Sequence, residues 1–305
     1  MKIGFIGLGG IGKPMAINIA RSGFELTVTD IREQPLKDLE QYGAKTVSTP
    51  REVAELSDIV LASLPSNEAS LEVALGVDGV IPSTKSGDIY IELSTISPEV
   101  VHTIVEKASA KNVNVLDAPV SGGIEQREKG TLSIMAGGDP NILSKAMPVL
   151  KTFGEQIFHT GPNGTGASIK LINNMLAAIN MVATMEALVL GVKADLKVQT
   201  IKEVIGASSG NNKVFKGLVD KITTINPEPP EGQTANQGLH TIGKDVRLAN
   251  EMAQNLSVPL SLGSSALQPF LTGLAKGWAD KEYWVIMELF EKLSDTKIRP
   301  SKRKT

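Results

Sequence analysis

The chain has 305 residues, of which 41% are hydrophobic and 21% charged, a composition typical of a globular protein with two domains. It has no cysteine and only three histidines (His102, His159 and His240), so we expect no disulfide, no thiolate nucleophile and no metal site. The net charge of −2 includes five cations among the last nine residues; the rest of the chain is acidic, so nucleic acid is not an expected partner. No run near 20 apolar residues and no secretory signal are recognised, which predicts a cytoplasmic protein and not a membrane protein.

Short β-rich runs alternate with helical patterns over the first 160 residues. Strands are predicted at residues 2–7, 26–30, 59–64, 88–93, 114–118, 133–136 and 156–159, with amphipathic helices at 13–22 and 34–42. Strands that alternate with helices build parallel sheets covered on both faces. The expected fold class is therefore α/β, with a Rossmann-type, doubly wound parallel sheet in a dinucleotide-binding domain over residues 1–163.

The second half of the chain is helical. A glycine-rich break at residues 161–166 precedes an apolar segment, 167–196, which predicts one long interdomain helix of roughly 45 Å. Further helices are predicted at 198–207, 212–224, 239–254, 263–276 and 282–293, and an irregular loop at 226–238. We expect an all-helical substrate and oligomerisation domain at 164–294, followed by a basic disordered tail at 295–305. The long helix has more apolar surface than one small domain covers, which favours a homodimer or homotetramer.

A glycine-rich turn follows the first predicted strand. Its residues match G-x-G-x-x-G, and Asp30 closes the next strand 18 residues after the last glycine. This pattern binds the diphosphate of a dinucleotide at a helix N-terminus. Asp30 would accept hydrogen bonds from the ribose and repel a 2′-phosphate, which favours NAD over NADP, although Arg32 would suit NADP. The turn consists of Gly7, Leu8, Gly9, Gly10, Ile11 and Gly12.

Two further groups of residues are candidates for the reacting end. Lys170 and Asn174 lie four residues apart at the start of the long helix, so they share one face, and desolvation there would lower the pKa of the lysine toward neutrality. Ser121, Gly122 and Gly123 follow the strand at 114–118 and offer a hydroxyl and backbone N–H groups to a carboxylate. A surface lysine and an ordinary turn are the alternative interpretations.

Together these segments resemble the β-hydroxyacid dehydrogenase family, which includes 3-hydroxyisobutyrate dehydrogenases, to about residue 294. The resemblance implies Lys170 as catalytic acid/base and Asn174 as the residue that orients substrate and lysine. It implies Ser121, Gly122 and Gly123 as ligands of the substrate carboxylate. Segments 186–191 and 205–210 are most similar to the 2-(hydroxymethyl)glutarate dehydrogenase branch. The motifs are Gly7 to Met15, Leu64-Pro65, Ser94 to Pro98, Asp117 to Gly123 with Gly130-Thr131-Leu132, Gly164 to Asn174 and Lys244-Asp245.

The resemblance also implies the reaction and the cofactor groove. Leu64, Pro65 and Thr95 would line the nicotinamide side, and Lys244 would approach the cofactor from the helical domain. The implied function is the NAD-dependent, reversible oxidation of a small β-hydroxy acid to its semialdehyde or ketone. Hydride transfers to the cofactor and the hydroxyl proton to Lys170.

The chain departs from the family pattern at several positions. Gln126 and Arg127 replace the usual Gly-Ala pair, and Gln237 and Thr241 replace an aromatic residue and a leucine. We hypothesise a polar substrate pocket in which Arg127 or His240 meets a second anionic or hydroxyl group. A solvent-facing Arg127 is the alternative.

Two other functions were weighed. An imine reductase would share the fold, but relatives of that kind lack the lysine that Lys170 supplies. A catalytically inactive dinucleotide-binding sensor or scaffold would explain the altered 237–241 stretch, but it would have no need for both Lys170 and Asn174.

Overall fold

A computed structural model describes residues 1–224 and 238–298 of the chain. The chain forms two compact units, Met1–Leu171 and Ile172–Thr305. The division lies inside a long helix and later than the predicted boundary after residue 163, because the first turns of that helix pack against the sheet of the first unit. Residues 226–237 of the predicted loop, Gln237 among them, and 299–305 of the predicted tail lie outside the described residues.

Within the described residues, the first unit contains one nine-stranded sheet in the order β3-β2-β1-β4-β5-β6-β8-β7, with β9 paired to β8. Strands β1 to β6 are mutually parallel, which confirms the doubly wound α/β fold, whereas β8 runs antiparallel to β6 and β7. Two strands, β3 and β7, are not predicted, because two residues carry no alternation pattern. The bounds are β1 Lys2–Ile6, β2 Glu25–Thr29, β3 Lys45–Thr46, β4 Ile59–Ala62, β5 Ile89–Glu92, β6 Asn114–Asp117, β7 Val120–Ser121, β8 Leu132–Gly137 and β9 Gly154–Gly161.

Helices cover both faces of this sheet, so successive strand residues enter two different cores. In β1, Ile3 and Phe5 belong to one buried cluster, and Ile6 belongs to the other. This is the period-2 alternation of a strand whose two faces are both covered. The helices of the first unit are α1 Gly12–Arg21, α2 Glu33–Glu40, α3 Pro50–Glu55, α4 Asn67–Leu75, α5 Val80–Ser83, α6 Pro98–Ser109, α7 Ile124–Lys129 and α8 Pro140–Leu150.

In its described residues the second unit is helical, as predicted, and it has its own buried core, which includes Met185, Phe215, Phe270 and Trp284. The predicted helix at 282–293 consists of a 3-10 helix, Tyr283–Ile286, followed by an α-helix. The α-helices are α9 Thr165–Lys193, which begins in the first unit, α10 Val198–Gly206, α11 Lys213–Thr224, α12 Leu239–Asn255, α13 Ser261–Ala275 and α14 Met287–Leu293.

Helix α9 corrects one expectation. By length and composition alone it could cross a membrane: it has 29 residues, and its most apolar 18-residue window has a mean hydropathy of 1.8. The expectation that no such segment exists was wrong, because it looked for an uninterrupted apolar run. Isolated polar residues such as Asn180 and Glu186 interrupt the run without lowering its average much. One such helix is weak evidence for a membrane protein, since long core helices share these properties.

The first turn of α9 leaves no room for a side chain at Gly166. A Cβ there would lie 2.3 Å from the carbonyl oxygen of Met135 and 2.4 Å from that of Asp117, and backbone atoms cannot move aside cheaply. We therefore expect Gly166→Ala to destabilise the protein by about 1–3 kcal/mol and to lower its thermal unfolding midpoint.

The matched control is Gly217→Ala, inside α11, where no described heavy atom lies within 4 Å of the added Cβ. This control should be neutral or stabilising, because alanine is the better helix former. Equal unfolding midpoints for the two variants would contradict the close packing inferred at Gly166.

Candidate active site

The carboxyl ends of the parallel strands bring the predicted residues of the first unit to one edge. The register places Thr29, Ile6, Ala62, Glu92 and Asp117 in one row across five strands. With strands about 4.8 Å apart, this row is about 19 Å long. The segments that follow it are Asp30, the glycine turn, Leu64-Pro65, Thr95 and Ser121 to Gly123. Ligands of open α/β sheets bind at this edge, where the strand order reverses between β1 and β4.

The glycine turn connects β1 to α1 and fits a diphosphate. Gly7 has a φ of +88°, and a Cβ on it would lie 2.3 Å from the carbonyl oxygen of Ser63. A Cβ on Gly12 would lie 1.9 Å from the carbonyl oxygen of Gly7, so this glycine permits the close approach of helix and strand. By contrast, no described heavy atom lies within 4 Å of a Cβ added to Gly9 or Gly10. The backbone of the turn therefore faces open space, as the approach of a phosphate requires.

Asp30 holds the turn from the side of β2. Its Oδ2 accepts a hydrogen bond of 2.6 Å from the backbone N–H of Leu8. Arg32 donates to the same carboxylate through its backbone N–H at 2.8 Å, its Nε at 2.9 Å and its Nη2 at 3.0 Å. Burial raises the pKa of Asp30, but the hydrogen bonds from Arg32 and Leu8 outweigh burial and hold that pKa below its usual range.

A shallow pocket next to Asp30 suits an adenosine. Its lining includes Leu36 and Val47, and Ile31 exposes its whole apolar side chain at the rim. An adenine ring is flat and largely apolar, so it would cover these side chains while its ribose lies near Asp30. The pocket and Asp30 lie at the carboxyl end of β2, on the same side as the glycine turn.

The nicotinamide side of the predicted groove is held by buried hydrogen bonds. The backbone N–H of Leu64 donates to Oγ of Ser94 at 2.7 Å, and the backbone N–H of Ser94 donates to Oε1 of Glu92 at 3.0 Å. The hydroxyl of Tyr90 donates to Oε2 of the same glutamate at 2.9 Å. Burial raises the pKa of Glu92, although its hydrogen bonds oppose that shift. These hydrogen bonds at the end of β5 thereby fix the loops that contain Leu64, Pro65 and Thr95.

The N-terminus of α9 is anchored to the same edge by Asp117. Its Oδ1 accepts from the backbone N–H of Gly164 at 2.8 Å, and its Oδ2 accepts from that of Ala167 at 2.9 Å. Ala167 also packs in a buried cluster with Ile96 and Val101. Lys170 follows one turn later and is only 8% exposed, which excludes the alternative of a solvated surface lysine.

The Ser121 segment is shaped by a short hairpin and a helix start. Ser121 pairs with Ser133 of the antiparallel strand β8, so it lies in a strand and not in a free turn. The side chain of Gln126 accepts a hydrogen bond of 3.0 Å from the backbone N–H of Gly123. Gln126 therefore uses one of the N–H groups that the prediction offered to a carboxylate.

In the second unit, Asn174 belongs to a polar cluster with two residues of α12. Its Nδ2 donates to Oδ2 of Asp245 at 2.7 Å, and Nζ of Lys244 lies 3.1 Å from Oδ1 of the same carboxylate. Asp245 was not among the predicted site residues. The adjacent Lys244-Asp245 pair in the sequence could have indicated Asp245, because a buried carboxylate needs polar or charged partners.

The two residues hypothesised to meet a second substrate anion lie in different units. Arg127 is only 6% exposed, so the alternative of a solvent-facing side chain was wrong: α7 packs against α1, and the guanidinium Nη1 lies 3.5 Å from the carbonyl oxygen of Gly10. His240 is exposed, but its Nδ1 is 2.9 Å from the carbonyl oxygen of Ala279 and its Nε2 is 3.1 Å from Oγ1 of Thr241. Both ring nitrogens of His240 are thus engaged within the second unit.

Within residues 1–224 and 238–298, no group of three or more His, Asp or Glu side chains is arranged to hold a metal ion. The glycine turn, Asp30 and the adenosine pocket supply the parts that a dinucleotide needs.

Comparison with known proteins gives the family. A family model described as the NAD binding domain of 6-phosphogluconate dehydrogenase matches residues 2–161. A second, described as NAD-binding of NADP-dependent 3-hydroxyisobutyrate dehydrogenase, matches residues 164–290. The two matches meet at the glycine-rich break before α9.

Relatives match over nearly their whole length. The chain is 36% identical over 298 residues to 2-(hydroxymethyl)glutarate dehydrogenase of Eubacterium barkeri, covering 98% of this chain and 97% of that one. It is 34% identical over 292 residues to NAD-dependent L-serine dehydrogenase of Pseudomonas aeruginosa, covering 95% and 98%. The solved 3-hydroxyisobutyrate dehydrogenase of Mycobacterium tuberculosis with L-serine aligns at a TM-score of 0.83 and 26% identity, over 94% of this chain and 98% of that chain.

These matches bear out the expectations for fold, family and cofactor class. The relatives align along α9 as well, so this helix is shared with dehydrogenases of the family. The chain belongs to the β-hydroxyacid dehydrogenase family and is an NAD(P)-dependent oxidoreductase of small β-hydroxy acids.

Proposed function

We propose that Lys170 is the general acid/base of this dehydrogenase and that NAD is its preferred cofactor. The observation that carries the proposal is the burial of Lys170 on a helix whose first turn is fixed, through Asp117, to the carboxyl edge of the sheet. That edge also carries the glycine turn and Asp30.

Each residue has one role in the proposed reaction. The hydroxyl of Ser121 and the backbone N–H of Gly122 hold the substrate carboxylate, whereas the backbone N–H of Gly123 donates to Gln126. Lys170, in its neutral form, accepts the proton of the substrate hydroxyl, and it returns that proton in the reverse direction. A dinucleotide, when bound, would supply the acceptor for the hydride that leaves the hydroxyl-bearing carbon. Asn174 orients the substrate and the lysine.

Asp245 adds a positioning role. Its carboxylate accepts the hydrogen bond from Asn174, which fixes the side-chain amide so that the carbonyl oxygen of Asn174 is left to accept from other donors. One such donor is the side chain of the neighbouring Asn173, at 3.1 Å. Lys244 neutralises the buried charge of Asp245.

The substrate class follows from chemistry shared by the relatives. 2-(Hydroxymethyl)glutarate, L-serine and 3-hydroxyisobutyrate are all 3-hydroxypropanoates with one substituent at carbon 2. A carboxylate and a hydroxyl separated by two carbons would reach the Ser121 segment and Lys170 together. We propose a substrate of this form, with 2-(hydroxymethyl)glutarate as the first candidate.

The paired Asp30 and Arg32 support NAD. Arg32 is committed to Asp30, and the carboxylate would repel a 2′-phosphate at close range. The enzyme is further proposed to be cytoplasmic and to form a homodimer or homotetramer. Support for self-association comes from Ile169, Ile172 and Leu176, which form an exposed apolar stripe on α9.

Removing the amine of Lys170 tests the proposed chemistry. Lys170→Met keeps the apolar stem, and we expect it to lower kcat by about 10²–10⁴-fold while NADH binding stays unchanged, because the lost group transfers the proton. The measurement is NADH formation at alkaline pH with 3-hydroxyisobutyrate, L-serine and 2-(hydroxymethyl)glutarate, beside NADH titrations.

The matched control is Lys193→Met, at the exposed end of α9, which should leave kcat unchanged. Full activity of Lys170→Met would overturn the assigned role. NADH binding by the wild-type protein without turnover of any β-hydroxy acid would favour a sensor.

Replacing Asp30 tests the cofactor preference. In Asp30→Ser the carboxylate is lost and Arg32 is released, so we expect NADH to bind about 10-fold more weakly and NADPH to bind more tightly than in the wild-type protein. Fluorescence titration with both cofactors measures the change. A wild-type protein that already binds NADPH more tightly than NADH would contradict the preference.

Charge on the apolar stripe tests self-association. Leu176→Lys should shift the mass measured by light scattering toward the monomer, because burying an ammonium in an apolar interface is costly. Leu293→Lys, at a residue that is 86% exposed on α14, is the control and should leave the mass unchanged. A monomeric wild-type protein would end the proposal.

A further inference from the structure

Arg127 is a buried cation whose charge the fold does not neutralise. It lies on α7 with 6% exposure, and its Nε is buried without a hydrogen-bond acceptor. Among the described residues no carboxylate forms an ion pair with it. Burial lowers the pKa of its guanidinium, which reflects the cost of keeping the charge there. Buried charges without a partner are rare, and a ligand of opposite charge is the usual explanation.

The surroundings of Arg127 identify the ligand. Its Nη1 lies 3.5 Å from the carbonyl oxygen of Gly10, inside the glycine turn, and this contact is long for a hydrogen bond. Asn18 of α1 donates to the carbonyl oxygen of Arg127 at 3.0 Å, which fixes α7 beside the helix that follows the turn. The guanidinium is thereby held at the N-terminus of α1, where a dinucleotide places its diphosphate.

The other cations near this turn are already paired. Lys13, in the first turn of α1, forms an ion pair with Asp38, and Arg32 forms one with Asp30. Two negative charges of a diphosphate would otherwise meet only backbone N–H groups. Arg127 is the cation of this region that has no acid partner among the described residues.

We propose that Arg127 is a ligand of the cofactor diphosphate. The guanidinium donates to a phosphate oxygen and keeps its contact with the Gly10 carbonyl. This inference rests on the dinucleotide binding of the proposed function, and it replaces the hypothesis that Arg127 meets a second anion of the substrate. A substrate anion is disfavoured because the contact of Arg127 is to the phosphate-binding turn.

Cofactor titrations of Arg127 variants distinguish the effect of the positive charge from the effect of the side-chain shape. We expect Arg127→Gln, which keeps a donor for the Gly10 carbonyl, to raise the Kd of both NADH and ADP-ribose by about 10–100-fold. Arg127→Lys should restore most of the affinity, because it returns the charge. The Kd of the wild-type protein should also rise more steeply with ionic strength than that of Arg127→Gln.

Lys129→Gln is the matched control, since Lys129 lies on the same helix but is exposed and paired with Glu125; it should leave both Kd values unchanged. Unchanged Kd values in Arg127→Gln would overturn the proposal, and a selective loss of activity on dicarboxylic substrates would then restore the substrate hypothesis. Equal weakening by Arg127→Gln and Arg127→Lys would also overturn it, in favour of a purely structural role. Should Arg127→Gln fail to fold, Arg127→Ala, the residue of the family pattern, gives the same comparison.

NADH titrations of the wild-type protein distinguish failure of the proposed reaction from failure of the proposed role of Arg127. A protein that binds NADH but does not turn over a β-hydroxy acid would remove the proposed chemistry and leave the role of Arg127 testable. A wild-type protein that binds neither NADH nor ADP-ribose would overturn the role of Arg127 as well.

Discussion

Two hydrogen bonds from the start of α9 to the carboxylate of Asp117 connect the carboxyl edge of the sheet to the helix that carries Lys170, the proposed acid/base. They satisfy two of the backbone N–H groups that a helix N-terminus leaves unpaired, and they place a negative charge where the helix dipole favours it. Burial raises the pKa of Asp117, whereas the bonds from Ala167 and Gly164 oppose this shift. The sheet thus fixes the position of Lys170, because Asp117 holds the first turn of α9 and Lys170 lies in the next turn.

A second constraint acts near the glycine turn, where the distribution of cations determines which charges are available to a ligand. Positive charge near the glycine turn is largely neutralised by neighbouring acids, as in the pairs of Lys13 with Asp38 and Arg32 with Asp30. These pairs fix α1, α2 and the end of β2 relative to one another. Arg127 differs because its partner would come from outside the chain. Structural ion pairs therefore lie near a buried cation for which we propose a ligand outside the chain.

Most of the fold and part of the site were predictable from the sequence. The parallel strands carry long apolar runs, and the glycine turn is followed by Asp30 at the spacing that a βαβ unit requires, so local patterns were sufficient. The strands β3 and β7 were missed because each has only two residues, which is too short to show an alternating pattern. The burial of Arg127 was not predictable, since its contact with Gly10 joins residues 117 positions apart. Asp245 was missed for the same reason: its bond to Asn174 spans 71 positions.

The carboxylate of Asp30 has a consequence for how the cofactor enters. Its two oxygens offer about four acceptor sites, and Leu8 and Arg32 already occupy all four. A ribose that donates its hydroxyl groups to Asp30 would compete with the Nε and Nη2 of Arg32 for the same carboxylate oxygens. The affinity for the ribose would then depend on the difference in free energy between the hydrogen bonds of Asp30 to the ribose and those of Asp30 to Arg32. Arg32 would therefore affect the selectivity of this site as much as Asp30 does.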